Sequence, residues 1–188
     1  MADAVPEPAS GIRPDMFRAV RPGRWTADSS ESFVLFLIGM RINALWKPWT
    51  WAPVLPTMPA MIRELARQPE LGYLGGDVWL GRTILCVQYW KDFDSLEAYA
   101  RGADHLHLPA WRKFNRLRAS SPDVGVWHET YEIKRGNWES IYVNMPPFGA
   151  GKVFPASRIS GYNEAARGRR DGRRRPRLPG PCRRRRCP

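Results

Sequence analysis

The feature that most constrains this chain is an apolar segment followed at once by a helix-forming one. Residues 84–90 (ILCVQYW) are β-branched, aromatic or otherwise apolar apart from one glutamine, which predicts a strand buried on both faces. Asp94 or Ser95 can then cap a helix. Its apolar face consists of Leu96, Tyr99 and Ala100. The chain must therefore supply a covering layer on each side of this strand.

The positive charge is concentrated at the end of the chain. Residues 157–188 hold twelve arginines against Glu164 and Asp171, which accounts for +10 of the formal net charge of +12. The remainder is close to neutral, so we expect no specific nucleic-acid partner. A tail so rich in arginine and poor in apolar residues is predicted to be disordered and irrelevant to activity, and we interpret it as sequence read in a shifted frame.

Cysteines and targeting signals point to an ordinary cytoplasmic protein. Cys86, Cys182 and Cys187 are not spaced as a disulfide framework or a zinc site. The first residues (MADAVPEPAS) have neither the basic nor the apolar region of a signal peptide. The longest apolar stretch, residues 33–46, is interrupted by polar residues and is too short to span a bilayer. We therefore expect no membrane partner.

The order of predicted elements indicates an α+β fold. Strands are predicted over residues 32–42, 71–79, 84–90, 124–134 and 138–145, with helices starting near Thr57 and after Asp92. This order is that of the ferredoxin-like βαββαβ fold with an extra C-terminal strand. We expect a loose N-terminal segment over residues 1–22, the domain over residues 23–156, and the disordered tail over residues 157–188.

The apolar pattern of the strands predicts a homodimer. Helices cover one face of a ferredoxin-like sheet, yet residues 32–42 and 84–90 are apolar on both faces. The simplest cover for the second face is another copy of the sheet, which gives a dimeric α+β barrel.

Several blocks of sequence resemble one known family. They are FLIGMRIN (36–43), GRTILCVQYW (81–90), LEAYAR (96–101), HLPAWRKFN (107–115), VGVWHETYEI (124–133) and YVNMPPFG (142–149). Together they resemble the family of bacterial relatives of the fumagillin-pathway monooxygenase, in the antibiotic-biosynthesis-monooxygenase-like superfamily of dimeric α+β barrels. The resemblance covers roughly residues 17–155. It implies the fold but not the reaction, because the superfamily includes cofactor-free oxygenases, haem enzymes, isomerases and plain binders.

The resemblance also implies a catalytic group. Small oxygenases of the superfamily place a polar residue of the first strand, a tryptophan at the end of the third and a histidine of the second helix around one pocket. The similar residues here are Asn43, Trp90 and His107, with His105 as a rival for the histidine. His107 could act as a general base, ligate haem or pack against Pro109.

Neighbouring residues of the predicted strand 124–134 supply further candidates. His128 and Glu129 point to opposite faces. His128 could lie inside the barrel near Tyr89 or be a structural histidine. Glu129 shares a face with Tyr131, and its carboxylate needs a partner such as Arg41 or Arg112. It is read as half of a buried ion pair or as a proton acceptor.

The many tryptophans, Trp111 among them, favour either core packing or a cavity for a flat apolar ligand.

Our first reading is a small monooxygenase of secondary metabolism that needs no cofactor and acts on an apolar molecule between sheet and helices. The alternatives are a haem-binding or haem-dependent enzyme, with His107 or His105 as the axial ligand, and a non-enzymatic small-molecule-binding dimer.

Overall fold

The computed structural model describes residues 19–29, 31–102 and 121–170. The strands are β1 Arg21–Ala27, β2 Phe33–Ile42, β3 Tyr73–Trp79, β4 Thr83–Trp90, β5 Val124–Ile133, β6 Tyr142–Met145 and β7 Ala156–Arg158. The helices are α1 Pro48–Trp51, α2 Thr57–Arg67, α3 Phe93–Arg101, α4 Ala150–Val153 and α5 Ala166–Arg170, with short 3₁₀ segments at Ala52–Val54, Pro69–Leu71 and Gly161–Asn163. The candidates His105, His107, Trp111 and Arg112 lie outside the described residues.

The main sheet has the predicted ferredoxin-like topology. Its four strands are antiparallel in the order β3-β4-β2-β5. The chain passes from β2 to β3 through α2, and α3 follows β4, as a split βαβ arrangement requires. Both neighbours of β2 pair with it without a register shift, from Val34 opposite Trp90 to Arg41 opposite Thr83 on one side, and from Phe33 opposite Ile133 to Ile42 opposite Val124 on the other. The prediction of an α+β ferredoxin-like fold is confirmed.

A second, three-stranded sheet in the order β6-β1-β7 was not predicted as a sheet. The expected extra strand over residues 138–145 is β6, which pairs with β1 rather than with the main sheet. The boundary drawn at residue 157 was wrong, because Ser157 lies within β7 opposite Thr26 of β1. Residues 21 and 22, which were expected to be loose, lie in β1, since this strand begins at Arg21.

The helices cover one face of the main sheet. Their shared core consists of Val34, Leu65, Trp90, Leu96 and Tyr99. Each fully buried apolar side chain of this size contributes about 1.5–3 kcal/mol relative to an exposed one, so this layer is a main source of stability. The apolar residues expected on one face of α3 are thus the ones that dock it.

The starts of the two helices differ from expectation. Asp92 caps α3, where its Oδ1 accepts a hydrogen bond of 2.7 Å from the backbone N–H of Ser95. A carboxylate at this position satisfies an amide of the first turn, which neither Asp94 nor Ser95 can do from inside the helix. Thr57 is the first residue of α2 and not its cap; Pro56 holds that position without a side-chain hydrogen bond.

The opposite face of the sheet is partly covered by the chain itself. A second core joins Phe33 and Tyr89 of the main sheet to Ala27 of β1 and Ala150 of α4. Phe33 contacts the rings of Trp138 and Phe154 with centroids 5.2 and 4.7 Å apart. The chain itself therefore covers the apolar residues at this end of the second face. These residues do not need a second copy of the sheet as cover, which differs from the reasoning that predicts the homodimer.

A buried polar cluster fastens this covering segment to β3. Lys152 of α4 forms an ion pair and hydrogen bond with Asp77, whose side chain is 4% exposed. The backbone N–H of Gly149 donates to the other oxygen of Asp77 at 2.8 Å. The backbone N–H of Gly151 donates to the Tyr142 hydroxyl at 2.9 Å. Because buried charges are costly unless paired, Asp77 and Lys152 stabilise one docked position of α4.

Candidate functional site

A small cavity lies between the main sheet and helices α2 and α3. We call it the helix-side cavity. It is lined by Phe36, Ile38, Met58, Met61, Leu65, Gln88, Trp90, Leu96, Tyr99 and Ala100, and its volume is ≈30 Å³. A water-sized molecule needs roughly 10–15 Å³ by this measure, so the cavity accepts one or two small molecules or the end group of a larger one.

Trp90 forms the floor of this cavity. Its side chain is 0% exposed and lies between the rings of Tyr73 and Tyr99, with centroids 5.6 and 5.7 Å away. Its indole Nε1–H donates a hydrogen bond of 3.0 Å to Oε1 of Gln88. Trp90 therefore lies at the end of a central strand, on the helix-covered face of the main sheet.

Gln88 is a candidate that the sequence reading missed. It is 4% exposed and lies on the same face of β4 as Trp90, two residues earlier. Its Nε2 is 3.5 Å from the sulfur of Cys86 and 3.9 Å from that of Met58. The available signal was one polar residue in an otherwise apolar strand, in phase with the tryptophan.

The contact between Tyr99 and Glu64 was likewise not predicted from the sequence. The Tyr99 hydroxyl donates a hydrogen bond of 2.8 Å to Oε2 of Glu64, which joins α3 to α2 beside the cavity. Burial raises the pKa of the Tyr99 phenol, and the hydrogen bond to Glu64 and the charge of Glu64 raise it further. The phenol therefore stays protonated at neutral pH and acts as a donor. No spacing in the sequence links Glu64 of α2 to Tyr99 of α3, which lies 35 residues later.

Asn43 does not share a pocket with Trp90, and that prediction is wrong. Trp90 pairs with Val34 at the start of β2, whereas Asn43 follows the end of the same strand. Nine residues of extended strand separate the two positions by about 30 Å. The Asn43 amide donates instead to the carbonyl of Pro122 at 2.7 Å and ties the end of β2 to the start of β5.

His128 and Tyr89 lie on opposite faces of the sheet, so they cannot line one site. His128 is opposite Ile38 on the helix-covered face, exposed, with its ring centroid 5.7 Å from that of Phe36. Tyr89 belongs to the core of the second face, where burial raises the pKa of its phenol to about 12.

Glu129 and Tyr131 contact each other on the second face. The Tyr131 hydroxyl donates to Oε2 of Glu129 at 2.5 Å, and this hydrogen bond raises the pKa of the phenol. Both residues are exposed, so the expected buried ion pair is wrong. Arg41 hydrogen bonds to the Thr83 hydroxyl at 2.8 Å instead. Neither Glu129 nor Tyr131 faces the helix-side cavity.

A wider groove of ≈510 Å³ lies beside the second core. It is lined by Asp28, Ser29, Glu31, Ser32, Phe33, Leu74, Lys91, Val153, Phe154, Pro155, Ala156 and Ser157. Its lining includes the apolar residues Phe33, Leu74 and Phe154 and the charged residues Asp28, Glu31 and Lys91.

Comparison with known proteins decides the family. The profile of the family described as Monooxygenase af470-like matches residues 33–150. The chain belongs to this family. Every residue that lines the helix-side cavity falls within the matched range, whereas most of the wider groove falls outside it. The helix-side cavity therefore lies wholly within the part of the chain that the family profile covers.

One curated protein and two solved structures are similar to this chain. Monooxygenase af470 of Aspergillus fumigatus is 34% identical over 108 residues, which cover 53% of this chain and 38% of that protein. The chain thus matches less than half the length of this curated relative. The crystal structure of the aldoxime dehydratase OxdRE in complex with butyraldoxime has a TM-score of 0.59 at 17% identity, covering 71% of this chain and 41% of that one. This second likeness shows a shared fold. SnoaB of Streptomyces nogalater, a cofactor-independent oxygenase, has a TM-score of 0.37 at 16% identity over 53% of this chain and 90% of that one.

Two further observations concern membranes and metals. Among the helices in the described ranges, none is long and apolar enough to cross a membrane. Within those same ranges, no three or more His, Cys, Asp or Glu side chains are grouped to hold a metal ion.

Proposed function

We propose that this protein is a monooxygenase that oxidises an apolar small molecule of secondary metabolism at the helix-side cavity, without a bound cofactor. The observation that carries the proposal is an apolar cavity within the family-matched region, floored by a fully buried tryptophan and containing a buried amide. An apolar lining with few polar groups is typical of sites for small apolar ligands. A dioxygen-sized molecule fits the volume.

The chemistry balances without an external reductant. A substrate methylene next to a carbonyl can lose a proton to a base, and the resulting carbanion can transfer an electron to O₂. The overall change is R–CH₂–R′ + O₂ → R–CO–R′ + H₂O, in which one oxygen atom enters the product and both methylene hydrogens leave in water. The four electrons come from the substrate, so the protein needs to supply a base and a positioned cavity.

We assign the base to His107, an assignment that follows from the resemblance, since an imidazole titrates near neutral pH. Trp90 forms the wall against which the substrate rests. Asn43 and Glu129 are removed from the catalytic set because they lie far from the cavity or on the other face of the sheet.

The candidate axial ligands for haem, His105 and His107, lie outside the described residues, and no described residue that lines the helix-side cavity carries an imidazole. We therefore derive no step through haem. Protein incubated with added haem is expected to show no Soret band that co-elutes with it.

We also propose that the protein acts as a homodimer. The half of the second face that the chain's own segments leave bare carries Leu37, Leu85, Trp127 and Tyr131, and Tyr131 is 45% exposed. Apolar strand residues of this kind are suited to packing against a second copy related by a two-fold axis.

The experiment uses 2-tetralone, an apolar bicyclic ketone whose C1 hydrogens are acidified by both the ring and the carbonyl. We expect the wild-type protein to consume O₂ with this compound and, under ¹⁸O₂, to place one labelled atom in the product. His107→Ala should lose this activity while keeping the wild-type oligomeric state. O₂ uptake no faster than in enzyme-free solution would contradict the proposed function.

A further inference from the structure

We propose that the Gln88 carboxamide binds the oxygen atom of the substrate, so that the substrates are apolar molecules bearing a carbonyl or phenolate oxygen. This inference rests on the proposed function and assigns a substrate-positioning residue and a substrate class to the same cavity.

The orientation of the amide follows from Trp90. An indole Nε1–H can only donate, so the Gln88 atom that faces it at 3.0 Å must be the oxygen. The NH₂ group of Gln88 is thereby turned toward the other side of its planar amide, where Met58 and Cys86 lie. The hydrogen bond from Trp90 thus leaves the NH₂ end of the Gln88 amide available to a ligand.

Among the described residues, the donors of this amide have no strong acceptor. The atoms that Nε2 reaches are the sulfurs of Cys86 and Met58, at 3.5 and 3.9 Å, and sulfur accepts hydrogen bonds weakly. A buried amide without good partners is destabilising compared with an apolar side chain of the same shape. The hydrogen bond from Trp90 uses only the oxygen atom of the Gln88 amide, so the NH₂ group takes no part in that contact.

The surroundings suit a ligand oxygen. Gln88 lines a cavity whose walls are otherwise mainly aliphatic and aromatic, and its volume of ≈30 Å³ admits the oxygen-bearing end of a molecule. A hydrogen bond from Nε2 would strengthen as a carbonyl gains negative charge on losing the neighbouring proton, because donors bind anionic oxygens more strongly. The same contact would favour a ketone over a hydrocarbon in binding alone.

The test compares 2-tetralone with tetralin, which has the same carbon skeleton and lacks the oxygen. Both affinities are measured anaerobically by isothermal titration calorimetry, for the wild-type protein and for Gln88→Met. The ratio of 2-tetralone affinity to tetralin affinity should fall about 3-fold to 10-fold in Gln88→Met. This change corresponds to the net free energy of one hydrogen bond. Loss of a purely structural contact would weaken both ligands together and leave the ratio unchanged.

Two further variants separate this role from folding. Gln68→Met makes the same substitution at the end of α2, outside the lining of the cavity, and should keep the wild-type ratio. Gln88→Glu retains an oxygen for Trp90 and in its ionised form lacks the amide donors, so at about pH 9 it should also lower the ratio if Gln88→Met does not fold.

The outcomes distinguish the two proposals. An unchanged ratio in the Gln88 variants, or binding of neither compound to the wild type, would overturn the inference. Oxidation of 2-tetralone with an unchanged ratio would overturn it and leave the proposed function standing. A ratio that depends on Gln88 in a protein that consumes no O₂ would support it as a binding site and overturn the proposed function.

Discussion

Tyr99 of α3 and Glu64 of α2 are joined by a hydrogen bond of 2.8 Å at the side of the helix-side cavity. Tyr99 is 4% exposed, so its hydroxyl is held in a protected environment, and the carboxylate that accepts from it lies nearer the surface. The bond holds the two helices in a defined position above Trp90, against which the Tyr99 ring also packs.

Replacing Tyr99 by Phe should therefore lower the free energy of unfolding by about 1 kcal/mol, since a net hydrogen bond contributes about 0.5–1.5 kcal/mol. Denaturation in urea, followed by circular dichroism, measures the change. Glu64→Gln is the matched control, because its amide oxygen can still accept from the Tyr99 hydroxyl, so it should keep most of the stability. Equal losses in the two variants would contradict the role given to this hydrogen bond.

Asp92 should make α3 sensitive to acid. Its pKa is lowered from the ordinary value of 3.8 by hydrogen bonds from the Ser95 side chain and backbone, and to a lesser degree by Lys91. A carboxyl group whose pKa is lower in the folded state stabilises the fold above the unfolded pKa, and this contribution is lost as the pH falls through the folded pKa. Asp92→Ala should cost about 0.5–2 kcal/mol at pH 7 and less at pH 2.5.

Asp92→Ser is the control for that experiment, because a serine can cap the helix without an ionisable group. It should retain most of the stability at pH 7 and reduce the dependence on pH. The prediction fails if Asp92→Ala and Asp92→Ser lose equal stability in urea titrations at pH 7.

Local pattern was sufficient to predict the main sheet. The alternation in residues 124–133 placed His128 and Glu129 on opposite faces, and the register with β2 confirms it. The apolar run of residues 84–90 predicted a central strand, and β4 is one. These elements were predictable because burial on one or both faces imposes a pattern on the side chains themselves.

Long-range pairing was not predictable in the same way. The sequence of β1, RPGRWTA, has a proline, a glycine and two arginines and lacks a strand pattern. It becomes a strand because β6 and β7, more than a hundred residues later, pair with both of its edges. Likewise, Gln88 of β4 contacts Met58 of α2, which lies 30 residues earlier in the chain, and no spacing in the sequence reveals this contact.

Gly39 should be intolerant of any side chain. A Cβ placed there would lie 2.5 Å from Nε1 of Trp127 and 3.1 Å from the carbonyl oxygen of Ile84, so the indole packs directly on the glycine. Gly39→Ala should lower the free energy of unfolding by about 1–3 kcal/mol through overpacking. Thermal and urea denaturation both measure this loss.

Gly125→Ala provides the comparison for Gly39→Ala. A Cβ at Gly125, also in a strand of the main sheet, would meet Asn43 at 3.8 Å and Arg41 at 3.9 Å, which are ordinary contacts. We expect no loss of stability there. A similar loss at both positions would indicate a general effect of removing strand glycines, and would argue against the contact with Trp127.

The proposed dimer can be tested on the bare half of the second face. Light scattering coupled to gel filtration should give a mass of two chains, and Tyr131→Glu should shift it toward one chain, because it would place a second carboxylate beside Glu129 and unpaired like charges are costly to bury in an interface. Val143→Glu is the control, since Val143 is 52% exposed on β6 of the other sheet. If the mass is that of one chain in the wild type, or if Val143→Glu disrupts the dimer as strongly as Tyr131→Glu does, the second face of the main sheet is not the interface. The apolar residues Leu37, Leu85 and Trp127 would then need another explanation for their incomplete burial.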